Sequence, residues 1–234
     1  MIKLSDRLNV IAEEIEMGET VADIGTDHGF LPIFLWENRI SPKVIMTDIS
    51  EGSLNKAIEN CRRFHPETEF DLRLGSGIDV LSQGETDDLI IAGMGGMLMT
   101  EILGKDPYKA KSFKKIVLQP RNNIGRLRHW LYNNGFSVKN EKLVREGRFI
   151  CEVITAVPVE VAVTRSMGPE RIEYEYPHTL IKFQGPLTRE YLSTKLRIEK
   201  NILSGMMSSS AASPKELRSQ EYRIEYIERL MRKL

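Results

Sequence analysis

The chain has 234 residues, 41% of them hydrophobic, and its 33 Lys and Arg balance 33 Asp and Glu. That is enough apolar material for one large domain and a smaller one, while a net charge of zero excludes a uniformly basic nucleic-acid binder. No run approaches the roughly 18 apolar residues of a membrane span, and Met1-Ile-Lys-Leu-Ser5 lacks the apolar core of a signal peptide. Cys61 and Cys151 stand alone without metal-ligand spacing, so the expectation is a cytoplasmic protein with no membrane and no metal.

Ser5 to Met17 carries Leu4, Leu8, Ile11 and Ile15 at helical spacing behind a capping Ser5, which predicts an amphipathic helix with Arg7 in its first turn. Thr20 to Ile24 then reads as a short buried strand entering Gly25-Thr-Asp-His-Gly29, followed by an apolar helix from Phe30 to Trp36. Strand, glycine turn and helix N-terminus place backbone N–H groups at the carboxyl edge of a sheet, where α/β proteins bind nucleotides. The turn lacks the central glycine that lets a backbone approach a pyrophosphate. It offers Asp23 and Asp27 instead, which suit an ammonium or sulfonium ligand; S-adenosylmethionine carries both. The competing reading is an ordinary turn with Asp27 as the helix N-cap.

Lys43 to Asp48 is a second strand ending in an acid, and Ser50 caps a helix with Leu54, Ala57, Ile58 and Cys61 inward. In nucleotide-binding folds an acid at the position of Asp48 accepts from both ribose hydroxyls; otherwise it is another capping acid. A third strand, Glu69 to Leu74, ends in Gly75-Ser-Gly-Ile-Asp79, where such folds hold an adenine ring, with Ser76 or Asp79 available to the exocyclic amine. A fourth, Asp88 to Ala92, passes through Gly93-Met-Gly-Gly96 into a helix from Met97 to Leu103. Three glycines in four positions mark close backbone approach. The turn lacks the Asn or Asp, prolines and aromatic that grip an exocyclic amine, which favours a ring nitrogen if the substrate is a base.

Lys115 to Leu118 is a fifth strand, followed by Gln119-Pro-Arg-Asn-Asn123 and a helix from Ile124 to Tyr132 stopped at Asn133-Asn-Gly135. Phe136 to Val144 and Phe149 to Val157, joined by Arg145-Glu-Gly-Arg148, predict an antiparallel hairpin. Five βα units closed by such a hairpin predict an α/β fold with the Rossmann-like sheet of class I methyltransferases rather than the all-parallel NAD version. Beyond Val163, prolines at 169, 177 and 186 break an irregular segment. Leu187 to Met206 reads as a helix with Tyr191, Leu192, Leu196, Ile198, Ile202 and Leu203 inward, and residues 204–213 as a loop. Ser213-Pro-Lys-Glu216 opens a last helix with a capping box, and Leu217, Ile224, Ile227, Met231 and Leu234 follow heptad spacing. The expected organisation is a catalytic domain over 1–162 and a small α-helical, coiled-coil-like hairpin over 163–234. Residues 165–234 hold 13 Lys and Arg against 9 Asp and Glu, a modest excess suited to a polyanion.

Leu4-Ser-Asp-Arg-Leu8, Ala22-Asp-Ile-Gly-Thr-Asp-His28, Ile91-Ala-Gly-Met-Gly-Gly96 and Leu118-Gln-Pro120 resemble the bacterial tRNA (adenine-N1)-methyltransferases that modify tRNA position 22. Leu127, Trp130, Leu131 and the late Gln184-Gly-Pro-Leu187 extend the resemblance over nearly the whole chain. It implies S-adenosylmethionine as methyl donor, tRNA as substrate, a helical hairpin that helps bind the tRNA, and no required protein partner. By motif, Arg7, Asp23, Gly25, Asp27 and His28 surround the methionine part of the cofactor, Asp48 and Ile49 the ribose, and Gly75, Ser76 and Gly77 the adenine. Gly93, Met94, Gly95 and Gly96 line the target pocket with Gln119 and Pro120, the first two on its cofactor side. Transfer to N1 leaves a cation on the base, and Asp27 is the candidate carboxylate to stabilise it. Arg121, Arg126, Arg128, Arg189, Lys195 and Arg197 are the candidate phosphate contacts, whereas His129 reads as structural. Two other readings stay open: methylation of a protein or small metabolite, and a non-catalytic RNA-binding protein with a vestigial cofactor site.

Overall fold

The computed structural model describes residues 2–160, 168–208 and 212–234. Its strands are β1 (Val21–Ile24), β2 (Val44–Asp48), β3 (Asp71–Leu74), β4 (Asp88–Met94), β5 (Lys115–Pro120), β6 (Phe136–Glu146) and β7 (Phe149–Pro158). They form one seven-stranded sheet in the order β3-β2-β1-β4-β5-β7-β6. The first five run parallel; β7 is antiparallel to β5, with Leu118 opposite Ile154, and β6 pairs antiparallel with β7 along its length. This is the methyltransferase form of the Rossmann sheet that the hairpin predicted.

Every residue of β1, β2 and β5 is buried, as a parallel sheet covered on both faces requires. Alternate residues feed two cores. Ile45, Leu89 and Ile91 pack with Met99 and Leu103 of α4 (Gly96–Lys105) and Leu127 and Leu131 of α6 (Ile124–Asn133). On the other face Val44, Met46 and Ile90 pack with α1 (Asp6–Ala12), α2 (Phe30–Glu37) and α3 (Glu51–Phe64). Helix α1 ends at Ala12, short of the expected Met17, although Ile15 stays buried. Strands β4 and β5 each run two residues past the expected ends, and a short helix, α5 (Pro107–Ala110), is capped by Asp106.

After the sheet come α7 (Ile172–Glu175), α8 (Thr179–Lys182) and the paired helices α9 (Thr188–Ser208) and α10 (Pro214–Met231). The expected domain boundary at 162 lies outside the described residues. Helix α9 runs to Ser208, two residues past the expected end at Met206. Its inward face also differs: Ile198 and Ile202 are 45% and 46% exposed, and Glu199 is buried in their place. The reason is the seam with α10. Glu199 accepts from Gln220 Nε2 at 2.6 Å and pairs with Arg223 Nη2 at 2.6 Å. A buried polar layer of this kind fixes helix register, and it turns the two isoleucines outward. The capping box at Ser213 and Glu216 is present as expected.

Arg128 corrects another expectation. It is completely buried, so its guanidinium is not placed to meet a phosphate. Its Nε donates to Glu141 at 2.7 Å, Nη2 to Glu152, and Nη1 to the carbonyls of Tyr174 (3.0 Å) and Glu175 (3.3 Å). The hydroxyls of Thr179 and Tyr191 complete the same two carboxylates. A guanidinium survives burial only with its donors this fully used. Here it ties α6, the β6–β7 hairpin and α7 together, and Tyr191 extends the cluster to the start of α9.

Candidate active site

Chain order reverses between β1 and β4, and the carboxyl ends of the parallel strands open there into a cavity of about 700 Å³. A crevice at such a switch point is where open α/β sheets place ligands, and the volume suits a cofactor-sized molecule. Arg7, Asp23, Gly25, Asp27, His28, Asp48, Ile49, Gly75, Ser76, Gly77, Gly93 and Met94 all line it.

Strand β1 delivers Asp23, almost wholly buried, and then Gly25 at φ 74°. The positive φ is what favours glycine at this position, since the close neighbour of an added Cβ is the flexible end of Met94. Asp27 is not the helix cap. That position belongs to Gly29 (φ 69°), while the half-exposed Asp27 carboxylate takes Lys56 Nζ at 3.0 Å and lies 3.5 Å from His28 Nε2. Strand β2 ends in Asp48, whose carboxylate accepts from the N–H groups of Ser50 (2.8 Å) and Asp27 (3.3 Å). Those bonds fix its orientation toward the cavity. After β3, Ser76 lines the cavity, whereas Asp79 is not part of the lining and pairs with Lys105. Strand β4 bulges between Ala92 and Met94, with Gly93 at φ 75°.

From α1, Arg7 reaches across to the far side of the sheet edge. Its Nε donates to Glu146 at 2.8 Å and its Nη1 to Gln119 Oε1 at 3.1 Å. Burial pushes the Asp23 carboxyl up to about 6; the neighbouring Asp48 charge adds to this and Arg7 opposes it. Such an acid gains from a cationic ligand. Thr47 Oγ1, buried in the same wall, has no hydrogen-bond partner. An acid short of a cation, an orphaned hydroxyl, the orienting Arg7 and the glycine walls fit the ammonium, sulfonium, ribose and carboxylate groups of S-adenosylmethionine.

The residues expected at the substrate divide. Arg121 lines the cavity and is exposed. Gly95 and Gly96 do not line it. Gly96 donates to the Asn122 carbonyl at 3.0 Å, and a Cβ there would lie 2.7 and 2.8 Å from the carbonyl oxygens of Asn123 and Asn122. Its smallness serves the close approach of the loop after β5. Gln119 and Pro120 are buried beneath the cavity, where Gln119 holds Arg7. Arg126 pairs with Glu170. Arg189 and Arg197 are exposed on α9, and Lys195 Nζ sits 5.1 Å from the ring centroid of Tyr191. Lys3, Thr26, Thr47, Leu98 and Ile102 also line the cavity and were not foreseen. Thr26 and Thr47 were legible as neighbours of the motif acids; Leu98 and Ile102 look in sequence like core positions of α4. Among the described residues no cluster of three or more His, Cys, Asp or Glu is arranged to hold a metal, and no helix is long and apolar enough to cross a membrane.

Residues 4–154 match the family model described as a methyltransferase domain. The tRNA (adenine(22)-N(1))-methyltransferase of Bacillus subtilis is 34% identical over 157 residues, covering 66% of this chain and 65% of that protein's length. The crystal structure of the B. subtilis m1A22 tRNA methyltransferase TrmK superposes with a TM-score of 0.84 at 26% identity, over 99% of this chain and 100% of that one. A Streptococcus pneumoniae protein solved in complex with S-adenosyl-L-methionine shares the fold, with a TM-score of 0.83 at 23% identity over 98% and 100% of the two chains. Sheet order, cavity and sequence kinship agree, and the chain belongs to the methyltransferase family whose domain model it matches.

Proposed function

We propose that this chain transfers the methyl group of S-adenosylmethionine to N1 of adenine 22 in tRNA. The observation that carries the reading is the gathering of Arg7, Asp23, Asp48 and the Gly75–Gly77 turn around one cavity that opens beside Gly93 and Met94. In this reading Arg7 holds the methionine carboxylate, Asp23 its cationic end, Asp48 the ribose hydroxyls and Ser76 the adenine amine. Three acids in the cavity lining, Asp23, Asp27 and Asp48, give a vestigial site no support.

When bound, S-adenosylmethionine supplies an electrophilic methyl group on a sulfonium. Adenine N1 already has a free lone pair, so the protein need remove no proton before attack. Its tasks are to align N1, exclude water and balance the charge that appears on the base. Asp27 is the carboxylate for that last role: Asp23 and Asp48 are buried, while Asp27 is half exposed at the cavity wall, where a base must enter.

N1 lies on the pairing edge, so the target must leave its stack before it reacts. Arg121 at the cavity, and Arg189, Lys195 and Arg197 on α9, are proposed to meet tRNA phosphates, with 163–234 serving as the tRNA-holding domain in the cytoplasm. Affinity for tRNA should therefore fall steeply with salt. The test is to incubate the protein with unmodified tRNA transcripts and S-adenosylmethionine, digest the RNA and identify nucleosides by mass spectrometry. N1-methyladenosine supports the reading; cofactor consumption without RNA, or with another modified nucleoside, overturns it.

A further inference from the structure

The turn between β6 and β7 carries an aromatic side chain that the fold does not use. Phe149 is 61% exposed, and the guanidinium of Arg148 stands 4.9 Å from its ring centroid. Glu146 and Phe149 are direct cross-strand partners. In an antiparallel pair such partners project to the same face of the sheet. Glu146 reaches Arg7 on that face at 2.8 Å, and Arg7 lines the cavity. Phe149 therefore projects on the cavity side of the hairpin. At Cys151, the next position inward on the same face, burial first and then Glu146 push the thiol up, while Arg7 and Arg121 oppose them. Two residues of strand span about 7 Å, which sets Phe149 just outside the mouth that those arginines frame.

The other face of the same tip points toward the helical pair. Arg145 pairs with Glu190 at the start of α9. The hairpin end thus bridges the cavity and the helix that carries Arg189, Lys195 and Arg197. An RNA strand running from one to the other crosses Phe149.

We infer that Phe149, backed by Arg148, is a stacking platform for an unpaired tRNA base adjacent to the methylated adenine. The occupant is the neighbouring base rather than the target, because Phe149 is not part of the cavity lining. An aromatic face beside a cationic one is how proteins hold single-stranded bases regardless of sequence. Occupying it would keep the strand open while the target sits in the cavity. The inference rests on the tRNA reading above.

The test compares Phe149→Leu, Phe149→Ala and Phe149→Trp with the parent chain. Methylation kinetics with a tRNA transcript are read beside S-adenosylhomocysteine affinity and melting temperature. The Leu and Ala variants are expected to raise KM for tRNA roughly 10- to 100-fold, with cofactor affinity and melting temperature unchanged. Trp, which keeps an aromatic face, should restore the parent KM, whereas Leu, which keeps only apolar bulk, should not. An unchanged KM in Leu and Ala, or an equal loss in Trp, overturns the stacking role while leaving tRNA methylation intact. A parent chain that methylates no tRNA overturns both.

Discussion

Arg7 Nη1 donates to Gln119 Oε1 at 3.1 Å, joining the first helix to the end of the fifth strand across 112 residues of sequence. Together with Glu146 on Nε, this bond aims the guanidinium at the cavity. Gln119→Leu keeps the buried volume and removes the acceptor. Cofactor affinity should weaken by about tenfold, the scale of one hydrogen bond to a charged group, with tRNA affinity preserved. Calorimetric titration of S-adenosylmethionine, beside filter binding of tRNA, separates the two.

Asp23 gives the account a pH dependence with a definite sign. Its carboxyl, pushed up to about 6, stays protonated in the folded chain where the unfolded chain has already ionised. Between pH 4 and 6 the group therefore makes stability fall as pH rises. Cation binding runs the other way, because it needs the carboxylate. Affinity for S-adenosylmethionine should rise about fivefold from pH 5 to pH 6 and about tenfold in all by pH 7, then level off. Asp23→Asn should bind weakly with no such rise.

Asp27 is held by Lys56 at 3.0 Å on the open side of the cavity. If it balances charge on the methylated base, Asp27→Asn should lower kcat by about 100-fold while changing cofactor affinity severalfold at most. Equal losses in both would make Asp27 a cofactor ligand only. Single-turnover kinetics with saturating cofactor distinguish these outcomes.

Arg128 provides a test of assembly. Arg128→Met leaves Glu141 and Glu152 buried without their partner and frees the carbonyls of Tyr174 and Glu175. The expected loss of folding stability is about 3–5 kcal/mol, measurable by urea denaturation. Deleting residues 163–234 would strip the Tyr174 and Glu175 carbonyls and the Thr179 and Tyr191 hydroxyls from this cluster, so point variants on α9 isolate tRNA contacts more cleanly than truncation.

The sheet and the cofactor wall were legible because their residues obey local rules. Short continuous buried strands, glycines at positive φ and acids at strand ends each follow from the backbone around them. What sequence concealed depends on partners far along the chain. Arg128 looks like any exposed helical arginine until Glu141 and Glu152 close over it from the hairpin. Glu199 looks solvated until Arg223 and Gln220 meet it across the seam, and only then do Ile198 and Ile202 turn outward. Gly96 reads as a substrate contact, yet its absent side chain makes room for the Asn122 and Asn123 carbonyls. A turn motif marks where the backbone must come close, but not what it comes close to.

The most direct test of the central claim pairs two tRNA transcripts that differ only at position 22, one with adenine and one with guanine, each incubated with this protein and S-adenosylmethionine. The account predicts one N1-methyladenosine per adenine-22 transcript and none in the other. Equal methylation of both, or of neither, would contradict it.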